Sequence, residues 1–324
     1  MHLTRRRLQQ ILGAFWLLDG VLQLQPFMFT RGFAERVLGP AAVGQPAFVA
    51  VPVRLSAQLV ASHHVLADAV FAAVQLAIGA GLFVRPLVTA ALAGSVAWGL
   101  GVWYLGEGLG GLAGGRTSLL VGAPGAALLY VALALVAWPE REPSGAPGRR
   151  SLRVLFRPGR SDVTARRGTV GLWAGIWLTG AVLSVLPAQA RPGGIAAAVS
   201  WGSSGGPAWL VSLGHLTASI LGREGGGVAA GMAALEVLVA LLALRPGWTR
   251  VAAGLGGGAL ALADWLLGQG MGQLTTGQAT DPNAGIVLVV LAVALVSLRR
   301  PPQDDSARAG RPGLAPAVDA RRVA

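Results

Sequence analysis

Residues 103–139 read WYLGEGLGGLAGGRTSLLVGAPGAALLYVALALVAWP, and residues 265–301 repeat the pattern as WLLGQGMGQLTTGQATDPNAGIVLVVLAVALVSLRRP. Each copy consists of an apolar segment, a glycine-rich loop and a second apolar segment. When Trp103 is aligned with Trp265, the glycines of the two loops align as well. These glycines are Gly106, Gly108 and Gly110 in the first copy and Gly268, Gly270 and Gly272 in the second. The pattern predicts a membrane unit that occurs twice in the chain.

The composition is that of an integral membrane protein. Of the 324 residues, 53% are hydrophobic and only 12% are charged, and the mean hydropathy is +0.60. Apolar runs of about 20 residues recur, which is the helix length needed to cross ~30 Å of hydrocarbon. The sequence contains no cysteine. The chain therefore has no disulfide, no thiolate nucleophile and no cysteine-ligated iron–sulfur cluster of its own.

The apolar runs predict an all-α membrane protein with about eight transmembrane helices. The predicted spans are residues 8–29, 62–84, 86–105, 119–138, 169–188, 227–244, 248–267 and 284–298. They form two four-helix repeats, 1–138 and 169–301, with a basic linker at 139–168 and a polar, disordered tail at 302–324. Because each repeat has an even number of spans, we expect the repeats to be parallel, with their pseudo-twofold axis along the membrane normal.

The arginines predict the orientation. The net charge is +12, and all 26 basic side chains counted as Lys or Arg are arginine. If the amino terminus is inside, 20 arginines fall on inside segments and 6 on outside segments, as the positive-inside rule requires. We therefore expect a multi-pass protein of the plasma membrane with both termini in the cytoplasm. The same distribution explains the basic charge without nucleic acid as a partner.

Two apolar segments follow a proline between the first and second spans of each repeat. They are residues 46–60 and 207–221, and they align with each other. Because each follows a proline and falls on the outside, we expect a short helix that lies at, or dips into, the outer interface. Phe48 and Trp209 are the predicted anchors.

The glycine loop GEGLGG, residues 106–111, matches the dinucleotide pattern G-x-G-x-x-G. A dinucleotide site requires a loop between a strand and a helix, whereas this loop joins two membrane spans on the outside. The second copy, GQGMGQ, also lacks the third glycine. We predict tight external turns in which glycine adopts positive φ. The alternative is a re-entrant or lid-like loop whose backbone amides bind an anion or a polar headgroup.

Ionisable residues inside spans are costly unless they are paired or functional. Asp19 lies midway along the first predicted span, Glu236 lies in the middle of the sixth, and Asp264 lies near the outer end of the seventh. Most polar groups belong to the first repeat, which predicts an outward-facing polar site there. The candidate polar site comprises Asp19, Arg54, His63, His64, Asp68 and Glu107, with Glu236 as a further candidate in the second repeat. The alternative is that each group has an ordinary hydrogen bond.

No metal site and no catalytic residue is predicted. His64 and Asp68 share a helical face, but the adjacent His63 points elsewhere and no third ligand is specified. Haem ligation by His64 and His215 is not expected, because neither histidine lies deep in a predicted span and they match no haem motif. We predict no cofactor for the chain itself, so quinone or haem would come only through a partner.

The repeated unit resembles the DoxX/DoxD-like group of small four-helix membrane proteins. In both repeats an arginine-led first helix contains glycines, and a later span ends at Arg-Pro. The matching residues are Arg7, Gly13 and Gly20 with AIGAGLFVRP (77–86), and Arg167, Gly171 and Gly175 with VLVALLALRP (237–246). The resemblance covers about half of each repeat. The glycine loops and the arginine- and alanine-rich composition look like those of an actinobacterial branch.

The resemblance implies a function in membrane redox complexes, including thiosulfate–quinone oxidoreduction, where partner subunits contribute. We therefore expect a non-catalytic or partner-dependent subunit of a membrane complex, with the lipid bilayer and redox subunits as partners. Two alternatives remain open. One is a small-molecule or ion transporter, and the other is an enzyme that acts on lipid or quinone headgroups at the outer leaflet.

Overall fold

The computed structural model describes residues 3–139, here called the first half, and residues 161–297, the second half. Within these ranges the chain is helical and no residue forms a strand. The longer helices are α1 Arg5–Leu22, α2 Ala47–Ser62, α3 His64–Phe83, α4 Val88–Leu105, α5 Ala126–Val136, α6 Ser161–Ser184, α7 Gly194–Ser203, α8 Ala208–Leu221, α9 Gly226–Leu244, α10 Trp248–Leu267 and α11 Asn283–Ser297. The predicted all-helical class is thus confirmed for the described residues.

Among the described residues, four helical segments are long and apolar enough to cross a membrane. They are His64–Phe83, Arg85–Leu105, Gly226–Leu244 and Trp248–Leu267. They coincide with the predicted spans that begin at residues 62, 86, 227 and 248. These four apolar helices indicate a membrane protein. The other four predicted spans overlap α1, α5, α6 and α11.

Three predicted boundaries are wrong. Helix α1 ends at Leu22 rather than at residue 29, so Asp19 lies in its last turn and not midway along a span. Helix α6 begins at Ser161, inside the predicted linker. Residues 140–160 of that linker, and the tail from residue 298 onward, lie outside the described residues.

The third wrong boundary is the predicted span 119–138, which is helical only from Ala126 to Val136. Pro124 cannot donate a backbone hydrogen bond, and Gly122 and Gly125 adopt φ of 102° and 106°, which α-helices do not contain. An 11-residue helix rises only about 16 Å, roughly half the thickness of the hydrocarbon core. The segment is therefore a turn followed by a half-length helix.

Helix packing follows the same order in the two halves. In the first half α1 packs on α3, α3 on α4, and α4 on α5, whereas in the second half α6 packs on α9, α9 on α10, and α10 on α11. The halves meet where α5 contacts α11 and α6. One hydrophobic cluster runs through both halves and includes Trp16, Tyr130, Trp173 and Leu288. Burying large apolar side chains from both halves in one cluster holds the halves together.

Hydrogen bonds show which helix ends lie together. The Arg6 guanidinium donates to the Leu82 carbonyl oxygen at 2.8 Å, and the Gln9 amide donates to the Ala137 carbonyl oxygen at 3.0 Å. The start of α1 and the ends of α3 and α5 are therefore at one end of the bundle. At the opposite end, the Gln25 amide of the first half donates to the Ala279 carbonyl oxygen of the second half at 3.1 Å. Both glycine loops lie at this second end.

The two short apolar segments form helices, as predicted. They are α2 and α8, and each begins directly after a proline, Pro46 or Pro207. Phe48 is 63% exposed and Trp209 is 56% exposed. Exposed aromatic side chains on short helices beside the bundle are typical of segments that lie at a membrane interface.

Candidate functional site

The two glycine loops are held by equivalent hydrogen bonds. The Trp103 indole N–H donates to the Pro124 carbonyl oxygen at 2.8 Å, and the Trp265 indole N–H donates to the Pro282 carbonyl oxygen at 2.6 Å. Each tryptophan stands at the end of a long helix, and each proline stands one or two residues before a shorter one. The aligned tryptophans therefore attach each glycine loop to the start of the helix that follows it.

Glu107 and Gln269, which align in the sequence, cap these shorter helices. The Ala127 N–H donates to Glu107 Oε1 at 3.0 Å, and the Gly285 N–H donates to Gln269 Oε1 at 2.9 Å. A side-chain oxygen at this position satisfies a backbone donor that the helix itself cannot pair. The two side chains thus perform the same structural task at the first turns of α5 and α11.

The second polar atom of each side chain, Gln269 Nε2 or Glu107 Oε2, has a different environment. Gln269 Nε2 donates to the Leu119 carbonyl oxygen of the first half at 3.0 Å. Glu107 Oε2 is buried and has no hydrogen-bond partner among the described residues. An ionised carboxylate oxygen in such a position is costly because it has lost its water.

Glu107 belongs to a cluster of acidic and phenolic groups at the junction of the halves. The Tyr130 hydroxyl donates to Asp19 Oδ1 at 3.2 Å, and both residues are almost fully buried. Asp281 comes from the second half, and both it and Glu107 lie within electrostatic range of Asp19. The Asp281 carboxylate accepts hydrogen bonds from the Thr280 hydroxyl and the Asn283 N–H.

The environment favours the protonated form of Glu107. Burial, and secondarily the charge of Asp281, raises the pKa of Glu107 to about 8, although hydrogen bonds from the Ala126 and Ala127 N–H groups lower it. Burial also raises the pKa of Asp281. At neutral pH Glu107 therefore holds a proton on its carboxyl group. In this form Glu107 has the hydrogen-bonding capacity of Gln269, with one acceptor and one donor.

We expect the free energy of unfolding of the protein to fall as the pH rises through the pKa of Glu107. The folded state binds the Glu107 proton more tightly than the unfolded state, so the free energy of unfolding decreases from about pH 5 to above pH 8. At about 1.4 kcal/mol per pKa unit, and allowing for partial exposure, the decrease is roughly 2–4 kcal/mol. The measurement is the apparent melting temperature of the detergent-solubilised chain at a series of pH values.

Glu107→Gln should make this decrease shallower, most clearly around pH 8, while keeping the cap on α5. Asp281, whose pKa is also raised by burial, should still contribute to the decrease. The exposed Glu35→Gln provides the control, and its pH profile should match that of the unchanged protein. A Glu107→Gln profile as steep as that of the unchanged protein would contradict the assignment.

The other predicted site residues lie apart from this cluster. Asp68 is fully buried, accepts from Gln23 Nε2 at 2.6 Å, and has His64 near its charge. Glu236 accepts from the Ser184 hydroxyl at 2.8 Å, with Asp264 in electrostatic range. The carboxyl groups of Asp68 and Glu236 thus each accept one side-chain hydrogen bond, and Asp68 Oδ2, like Glu107 Oε2, is buried with no hydrogen-bond partner among the described residues.

Arg54 and His63 do not join any of these groups. Arg54 lies on the exposed face of α2. His63 ends that helix, is exposed, and has its Nδ1 atom 3.0 Å from the Ser62 hydroxyl. No group of three or more potential metal ligands occurs among the side chains that the structure describes, in residues 3–139 and 168–297.

The predicted glycine turns are confirmed at four positions and wrong at two. Gly108, Gly110, Gly270 and Gly272 have positive φ between 54° and 66°. The first glycine of each loop, Gly106 or Gly268, has negative φ and follows the last turn of a helix. Gly268 is required for another reason, because a β-carbon there would overlap the Leu120 carbonyl oxygen of the first half.

Asp281 and Tyr130 were missed by the sequence analysis. Tyr130 stands alone within an apolar run and reads as an ordinary core aromatic residue. The sequence does contain a signal for Asp281, because this residue lies in the second copy of the repeated loop, directly before Pro282. The predicted polar site was placed in the other half of the chain. A search of both loops for acidic residues would have found Asp281.

Comparisons with known proteins identify no relative, because no family model, no curated protein and no solved structure matches the chain. The resemblance to the DoxX/DoxD-like group therefore stays a prediction.

Proposed function

We propose that the chain is a polytopic membrane protein of two parallel four-helix repeats and that it is a proton-linked transporter of a small solute. The observation that carries the proposal is the carboxyl cluster at the junction, in which Asp19 and Glu107 of the first half lie within electrostatic range of Asp281 of the second. Ionisable groups inside membrane proteins are rare and commonly belong to ion or proton pathways.

Paired contacts support the repeat. Besides the aligned tryptophans and helix caps, the loop after the first helix of each half reaches the glycine loop of the other. Gln25 donates to the Ala279 carbonyl oxygen at 3.1 Å, and Gln189 donates to the Arg116 carbonyl oxygen at 3.3 Å. Reciprocal contacts of this kind are expected from a twofold axis that runs along the bundle.

Non-helical segments at the junction support transport rather than a purely structural subunit. Residues 122–125 and 278–282 interrupt the chain before α5 and α11, and the N-terminal ends of both helices lie beside the carboxyl cluster. Transporters commonly bind their substrate where interrupted helices from two repeats meet. A glutamate whose pKa is about 8 can take up and release a proton near physiological pH.

The proposal includes the orientation that the arginines favour. Both termini are then cytoplasmic, the glycine loops face the outside of the plasma membrane, and the junction carboxyl groups lie near the outer surface. Protons reach these groups from the outside, where the glycine loops cover them.

The test is solute-induced proton movement in proteoliposomes that contain the full chain and a pH-sensitive dye. A panel of neutral, cationic and anionic small solutes is added, and the internal pH is followed. We expect at least one solute to change the internal pH, and we expect Glu107→Gln and Asp281→Asn to reduce that rate at least tenfold. Both substitutions retain an oxygen acceptor for the helix cap, so the fold should persist.

Glu35→Gln is the matched control, because Glu35 is an exposed acid. Its proton movement should equal that of the unchanged chain. If no solute moves protons and the chain repeatedly purifies with a stoichiometric membrane redox partner, the partner-dependent subunit replaces the transporter. Proton movement that survives in both carboxyl variants would also overturn the proposal.

A further inference from the structure

A basic groove lies at the glycine-loop end, between the first glycine loop and the loop that follows α6. Its volume is about 1040 Å³. Arg116 and Arg191 are exposed at this groove, and Trp201 beside them is 74% exposed. No acidic residue is among the side chains that line it. The groove therefore presents two positive charges and an indole to the surroundings.

A second groove lies on the same seam between the halves. It has a volume of about 620 Å³ and runs between α5 and α6 with an almost wholly apolar lining. Val121 lines the basic groove and Pro124 lines the apolar one. On the other wall, α6 lines the apolar groove, and Leu186, just beyond its end, lines the basic one.

The length of the apolar groove suits an acyl chain. Leu128 and Val136 of α5 both line it, and eight residues of helix rise about 12 Å along the bundle. Leu172 and Ile176 of α6 face them across the groove. A lipid tail that enters below the basic groove would exchange contact with other lipid tails for contact with these side chains.

We propose that these grooves hold one anionic phospholipid from the leaflet on the glycine-loop side. Its phosphate lies between Arg116 and Arg191, and one acyl chain lies along α5 and α6. Guanidinium groups pair with phosphate oxygens through two parallel hydrogen bonds, and tryptophan is favoured at the level of lipid headgroups. The apolar groove favours a lipid over a free anion, because only a lipid has an acyl chain to fill it. The proposal does not depend on transport, since it concerns the seam and not the carboxyl cluster.

The two walls of the basic groove are joined by a hydrogen bond that does not involve either guanidinium group. The Gln189 side chain donates to the backbone carbonyl oxygen of Arg116 at 3.3 Å. This bond joins the two walls and does not use the Arg116 side chain. Exchanging the arginine side chains should therefore leave the walls in place.

The experiment is native mass spectrometry of the full chain released from nanodiscs. The nanodiscs contain equal amounts of phosphatidylglycerol and phosphatidylcholine with the same acyl chains. We expect one phosphatidylglycerol to be retained at least tenfold more often than phosphatidylcholine. Arg116→Gln combined with Arg191→Gln should abolish this preference, whereas Arg116→Lys combined with Arg191→Lys should keep part of it.

Arg31→Gln combined with Arg223→Gln is the matched control, because both arginines are exposed and neither lines the groove. This control should retain phosphatidylglycerol like the unchanged chain. Equal retention of the two lipids, or equal loss in the control, would overturn the proposal. Displacement of the lipid by millimolar inorganic phosphate would also overturn it, since a free anion would then be the occupant.

Discussion

Replacing Gly268 with alanine is expected to destabilise the protein by at least about 3 kcal/mol, which for a chain of 324 residues corresponds to a fall of roughly 4–5 °C in the apparent melting temperature. A β-carbon at Gly268 would overlap the Leu120 carbonyl oxygen, and its neighbour on the other side is Gly202, which packs against the Gly268 carbonyl. Three backbone segments are stacked here, and backbone atoms cannot move aside as a flexible side chain can.

The backbone conformation of Gly268 is not the reason, since its φ of −93° and ψ of −20° suit alanine. The expected loss is therefore a measure of the contact between the halves. Fluorescence-detected size exclusion after heating measures the fraction of folded chain in detergent.

Gly256→Ala is the matched control, in the helix α10 that ends directly before Gly268. Gly256 is exposed, and a β-carbon there would have no neighbour within 4 Å. Alanine has the higher helix propensity, so this variant should be unchanged or more stable by up to about 1 kcal/mol. If Gly268→Ala and Gly256→Ala melt at the same temperature, the halves do not pack as described.

Replacing Gln269 with alanine is expected to cost about 2–5 kcal/mol. The substitution leaves the Gly285 N–H at the start of α11 without a partner. It also removes one of the two hydrogen bonds that the Leu119 carbonyl oxygen accepts, the other coming from the Gly122 N–H at 3.1 Å. It also removes a side chain that is only 3% exposed. Chemical or thermal unfolding in detergent should show this loss at every pH.

Gln58→Ala provides the control for the loss of a glutamine side chain, because Gln58 is exposed on α2. It should change the stability by less than about 0.5 kcal/mol. Gln269→Glu adds a second comparison. An ionised glutamate cannot donate to the Leu119 carbonyl oxygen, so this variant should be destabilised more at high pH than at low pH. Equal stability of Gln269→Ala and Gln58→Ala would contradict the bridging role.

Glu107 and Gln269 occupy the same place in the two glycine loops, but no pattern in the sequence predicted that both would cap a helix. Both residues cap a helix, and only one of them is ionisable, which the sequence already shows. The structure places Arg54 and His63 apart from Glu107, although the sequence analysis groups them in one polar site. Those residues were grouped because all were expected on the outside, and the outside of a bundle is wide enough to separate them. Asp281 reaches the cluster only because the two halves are packed against each other.

The sequence by itself determined the helical class and the four long apolar helices, because these depend on local hydrophobicity over about 20 residues. It placed the ends of the first and fourth predicted spans wrongly, because the turns at residues 23–30 and 122–125 are themselves apolar. It also determined that Trp103 and Trp265 would have matching roles, since both occur at the same place in a repeated pattern. The tertiary structure alone decided which polar groups meet. Asp19, Glu107, Tyr130 and Asp281 are brought together by packing between halves that are far apart in the chain, and no local pattern records that contact. It likewise decided that Glu107 keeps its proton, because a carboxyl group's pKa depends on the water it has lost and on the charges that surround it.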